Sequence, residues 1–177
     1  MGSRKMNCRM PAYGAIGLLL SANAQAGTDP VNFARQGWWN IHYVTFDAGN
    51  TLCEMTSRYS GTYFNIAAVA AGEGQRNWGI EFANIDWQWV RDKSKYTITL
   101  VAPDRTIDLQ MVGGSNQSVF GVVDKEVVDA LAMDRKGKLV TVFNGSELLG
   151  RFLLDDSAAA IRDVVHCTDA HPATNVK

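Results

Sequence analysis

The chain offers few side chains able to act on a substrate, and most of them read as structural. Its histidines are His42, His166 and His171. A hydrolase needs a nucleophile, a nearby base and a carboxylate to orient that base. His171 falls near the end of the chain, His166 adjoins Cys167, and His42 sits in a run of strand character, where a hydrogen-bonded histidine is the expected state. The sequence has no G-x-S-x-G segment, no His, Asp or Glu cluster at metal-ligand spacing and no C-x-x-C pair, so no catalytic residue, metal or cofactor is assigned. Asp155-Asp156-Ser157 precedes an Ala-rich helical segment and reads as capping oxygens. Gly113-Gly114-Ser115 lacks the lysine of a phosphate loop and reads as a turn.

Aromatic residues are the surplus. There are five tryptophans. Trp87 and Trp89 stand two apart, which on an extended strand puts both rings on one face, with Arg91 and Lys93 close behind. Such a pair can stack a sugar ring or grip a protein, so Trp87, Trp89, Arg91 and Lys93 are the candidate binding residues. Trp38, Trp39 and Trp78 are read as core.

These residues must be positioned by β structure. Residues 27–36 are polar and turn-prone, a lead-in. WWNIHYVTF, 38–46, is rich in aromatic and β-branched residues and has no helical stripe, so it reads as a strand. Further strands follow at 51–58, 62–71, 77–83, 96–102, 107–112 and 118–123, separated by turns rich in Gly, Asn, Asp or Pro. Helical spacing appears with Val127, Val128, Leu131 and Ala132 behind a capping Asp124, and again with Ile161, Val164 and Val165. Between these helices lies a hairpin whose Asn144-Gly145 suggests a type I′ turn. The expected fold is mainly β, a single antiparallel β-sandwich or flattened barrel with two short helices, around 124–134 and 156–167.

The N-terminus combines Arg4, Lys5 and Arg9 with an apolar run over 11–22 and small residues at Ala24 and Ala26, the pattern of a secretory signal cut after Ala26. The run is short for a membrane span of roughly 20 residues, so the expected product is not membrane-embedded once the signal is removed. Cleavage takes three of the 17 basic residues and none of the 18 acidic ones, leaving 14 − 18 = −4. That balance gives no electrostatic footprint for nucleic acid. The organisation is thus a signal at 1–26, the lead-in at 27–36, one β-rich domain at 37–168 and a flexible tail at 169–177. Cys8 leaves with the signal, and Cys53 and Cys167 remain as one disulfide in an oxidising compartment.

A Gly-Trp-x-x-Ile strand at Gly37 to Ile41, a cysteine soon after it at Cys53, and a closing strand followed by a Ser-Ala-Ala helix together resemble the invasion-associated locus B type of small bacterial periplasmic protein. The mid-chain cysteines many of those proteins carry are absent. The resemblance implies a β-rich periplasmic protein without catalytic residues. Ser60-Gly61-Thr62-Tyr63 is also similar to the Ser-Gly plus Tyr motif of periplasmic C-type lysozyme inhibitors, with a spacing one residue short. The expected function is that of a periplasmic or secreted, non-catalytic binding or envelope-interaction protein whose partner is an envelope protein. The alternatives are a carbohydrate or peptidoglycan-fragment binder using an aromatic face, and a cryptic hydrolase built on His42.

Overall fold

The computed structural model describes residues 5–6, 28–46, 49–88, 94–132 and 137–173. Its elements are β1 (Lys5–Met6), β2 (Val31–Gln36), β3 (Trp39–Thr45), β4 (Thr51–Tyr59), β5 (Thr62–Gly72), β6 (Gln75–Asn84), β7 (Lys95–Ala102), β8 (Arg105–Ser115), β9 (Ser118–Val123), α1 (Lys125–Leu131), β10 (Leu139–Asn144), β11 (Glu147–Leu153) and α2 (Ser157–Ala170). Strands β2 to β11 form one antiparallel sheet in the order β11-β10-β7-β8-β9-β6-β5-β4-β3-β2. The short β1 pairs in parallel with β8 at Thr106 and Ile107. The fold is mainly β with two helices, and the sheet does not close into a barrel.

The period-2 alternation of side chains sorts residues to two faces. Trp39, Ile41, Met55, Phe64, Ile66, Ile80, Phe82, Ile98, Leu100, Met111, Val140, Val142 and Phe152 share the core face and are all fully buried. Phe64 and Phe82, from adjacent strands, stack at 4.9 Å between ring centroids. Phe152 comes from β11, at the far end of the strand order, yet its ring lies 5.2 Å from Phe64 and 6.1 Å from Phe82. The sheet therefore bends over on itself, and its two halves enclose one core. Helix α2 fills the remaining opening, packing on β2, β3, β4 and β5.

Cys53 on β4 and Cys167 on α2 are joined as a disulfide across a sequence separation of 114, with Cα atoms 6.0 Å apart. It clasps the closing helix to an early strand, as the cysteine count indicates.

Turn chemistry fixes several registers. Ser60-Gly61 and Glu73-Gly74 have positive φ at both central residues, the pattern of type I′ hairpins. At β10–β11 the register pairs Asn144 with Glu147, so the central residues are Gly145 and Ser146, and only Gly145 has positive φ. That is the type II′ pattern and corrects the expected Asn144-Gly145 type I′ turn.

Three further expectations are corrected. The stretch taken as a lead-in contains β2. Its apolar alternation runs only over Val31, Asn32 and Phe33 before the irregularity at Phe33 breaks it, too short a run to reveal a strand. Gly113-Gly114-Ser115 is not a turn but the end of β8. Glycine is needed there because a Cβ on Gly114 would come within 2.9 Å of Phe120 Cδ1. Asp124 and Asp156 occupy N-cap positions without side-chain cap hydrogen bonds. Both expected helices are present, over 125–131 and 157–170, with 133–134 of the first expected range lying outside the described residues.

Candidate functional site

His42 on β3 and Glu54 on β4 are register partners, and His42 Nε2 lies 2.7 Å from Glu54 Oε1 with both side chains largely covered. The hydrogen bond to Glu54 raises the imidazole pKa above its usual 6.5, against the opposing effect of burial. On the same outer face of the sheet, Glu81 accepts a hydrogen bond from Asn65 Nδ2 at 3.1 Å. Burial lifts its carboxyl above the ordinary 4.5; hydrogen bonds from Asn65 and Ser118 oppose the shift, and the nearby Glu54 charge adds to it. A surface depression of about 440 Å³ lies elsewhere, between the β5–β6 turn and the end of α2 around Arg76, Thr168 and Asp169. His42 is not among its lining residues. Arg76 is engaged there by Thr168 Oγ1 at 2.6 Å and by the Asp169 carboxylate.

The acidic pair before α2 makes tertiary ties. Asp155 Oδ1 accepts from the Gly137 amide at 2.7 Å, and the Asp155 carbonyl accepts from Trp39 Nε1 at 3.0 Å. Ser157 Oγ donates to the Leu131 carbonyl at 2.8 Å, joining the start of α2 to the end of α1. His171, expected in a loose tail, packs its ring 4.4 Å from that of Tyr43.

Of the candidate binding residues, Trp89, Arg91 and Lys93 lie outside the described residues. Trp87 is partly buried against the core and follows the turn after β6 instead of sitting in a strand; its amide donates to the Asn84 carbonyl at 3.1 Å.

The other tryptophans divide. Trp39 and Trp78 are buried, as expected, but Trp38 is 63% exposed, which corrects its assignment to the core. Gly37 and Trp38 are the central residues of the β2–β3 hairpin, with positive φ at Gly37 only, so Trp38 sits on a turn and not in the alternation of β3. That turn is pinned to α2. Gln36 Nε2 donates to Asp163 Oδ2 at 2.7 Å, Trp39 is tied to Asp155, and Gly37 lies so close to Asp156 that a Cβ would collide with its carboxylate. Val31 and Phe33, 43% and 39% exposed, lie farther along β2, Val31 at the end away from the turn. Sequence reasoning missed this surface; the signal available was Gly37, which ends one short extended run and begins another.

Comparison with known protein families, characterised proteins and solved structures finds no match for this chain.

Proposed function

We propose that this chain is an exported, non-catalytic binding protein of the cell envelope whose partner is another protein. The observation that carries the reading is the exposed Trp38, on a hairpin that also exposes Val31 and Phe33 and whose turn is held in place by Asp163 of α2 and by Asp155 just before it. Exposed tryptophan on a preorganised element suits a binding anchor, since little ordering entropy is lost on association. The Cys53–Cys167 disulfide fits an oxidising compartment and so supports export. The signal-like N-terminus and the resemblance to the invasion-associated locus B type of protein point the same way. Among the described residues no helix is long and apolar enough to cross a membrane.

The test is affinity recovery from envelope extract of the source cells, with the wild-type protein and a Trp38→Ala variant of unchanged thermal stability. A protein partner retained by the wild type and depleted with Trp38→Ala is the expected result. Recovery of the same proteins by both, or of none above a mock column, overturns the reading.

A further inference from the structure

The two ends of the sheet are treated differently. At one end, β11 lies against β4 and β5, and its Leu149 carbonyl accepts a hydrogen bond from Thr62 Oγ1 at 3.3 Å. At the other end, β2 pairs with β3 alone among the described residues, so its outer row of backbone N–H and C=O groups faces away from the sheet. An unpaired edge is a template for another strand. Two devices limit what can use it. The register passes from Asn32–His42 to Ala34–Ile41, leaving Phe33 as a bulge residue without a partner in β3, and Arg35 stands exposed beside it. Bulges and edge charges discourage indiscriminate pairing. An added strand must then gain its affinity from side chains, and Phe33 and Trp38 are the large ones on offer.

Charge narrows the class of partner further. Asp156 and Asp163 bring carboxylates to the Gln36 to Trp39 turn, at the Gly37 backbone and the Gln36 amide, whereas Asp155 meets it through its main-chain carbonyl and turns its carboxylate to Gly137. Against them stands the Arg35 guanidinium, whose Nε donates to the Gly37 carbonyl. The end of the edge that carries Trp38 is therefore bordered by carboxylates, which favours cationic side chains there.

We infer that the β2 edge accepts an extended, basic segment of a partner protein as an additional antiparallel strand, with Phe33 and Trp38 as its apolar anchors. This rests on the protein-binding reading and names the surface and the chemistry of the partner. Main-chain hydrogen bonds supply part of the affinity, and the carboxylates select positively charged strands over acidic ones.

The test uses two dye-labelled heptapeptides of alternating Val and Thr, one with Lys and one with Glu at both ends, titrated against the protein and followed by anisotropy. The Lys peptide is expected to bind at least about tenfold more tightly than the Glu peptide. Phe33→Lys and Trp38→Ala should each weaken it by about tenfold, and Asp156→Asn, which keeps a residue tolerant of the left-handed backbone, should narrow the preference between the two peptides. Amide exchange should slow over 31–36 and stay unchanged over 147–153. Equal binding of both peptides, or protection at 147–153 instead, overturns the inference. If neither peptide binds while an envelope protein is still recovered in a Trp38-dependent way, strand addition fails and the protein-binding reading stands. If that recovery also fails, both fall.

Discussion

His42 and Glu81 bind protons more tightly in the folded chain than an exposed side chain would, His42 through Glu54 and Glu81 through burial. A group whose pKa is raised by folding contributes stability that is complete below its unfolded value and is lost as pH rises through its folded value. For Glu81 the loss begins above its ordinary 4.5, and for His42 above its ordinary 6.5. These groups together make the domain less stable as pH rises. Urea midpoints measured from about pH 4.5 to about pH 9 should fall with pH; Glu81→Gln should flatten the lower part of that curve and His42→Gln the upper part. A midpoint that climbs through neutrality would contradict the assignment. Gly37 gives a second test at this scale. Its φ is +55° and Asp156 occupies the space a Cβ would need. Gly37→Ala should therefore cost about 1 to 3 kcal/mol in chemical denaturation, whereas Gly74→Ala, with positive φ but open space around it, should cost less.

The closing helix is the element on which most ties converge. Cys167 binds Cys53, Asp163 accepts from Gln36, Ser157 donates to Leu131, and Thr168 with Asp169 holds Arg76. In the chain-entropy account, a link closing a loop of this length contributes roughly 4 to 5 kcal/mol. Cys53→Ser with Cys167→Ser should lower stability by up to about that amount and expose α2 to proteolysis before the strands. A double variant with an unchanged urea midpoint would show that packing alone holds the helix. Ser157→Ala, which strands the Leu131 carbonyl in a buried position, should cost about 1 to 3 kcal/mol. The position of α2 was legible from the Ile161, Val164 and Val165 spacing and from the acidic start. The role of Asp155 was not: its carboxylate bonds Gly137, 18 residues earlier in sequence, and no local pattern records such a contact.

At the scale of the molecule, strand order is set by pairings distant in sequence. β9 lies between β8 and β6, and β10 lies between β11 and β7. Folds dominated by such non-local contacts fold slowly, so refolding of the disulfide-intact protein should take milliseconds to seconds by stopped-flow tryptophan fluorescence. A main phase in microseconds would be incompatible with this topology. Phe152 joins the two ends of the sheet by touching Phe64 and Phe82, and Phe152→Ala should cost about 3 to 5 kcal/mol by thermal or urea unfolding. A much smaller loss would mean that the bend in the sheet does not depend on that aromatic cluster.

The class of fold, nine of the ten strands of the antiparallel sheet, both helices and the disulfide partners are legible in the chain alone. These follow from local causes: alternation that buries one face, glycines with positive φ at Gly61 and Gly74, apolar stripes at helical spacing, and two cysteines with no third to compete after Cys8 is set aside. Which residues face outward at the sheet's end is set by contacts made on folding. Trp38 and Trp39 are neighbours of one type, yet one is exposed at a turn and the other is fully buried with its indole tied to Asp155. That difference depends on β2 being an edge strand, on the bend that brings Phe152 over Phe64, and on α2 closing the gap beside them. Burial is a property of the surroundings each residue meets after folding, and those surroundings come from parts of the chain more than one hundred residues away.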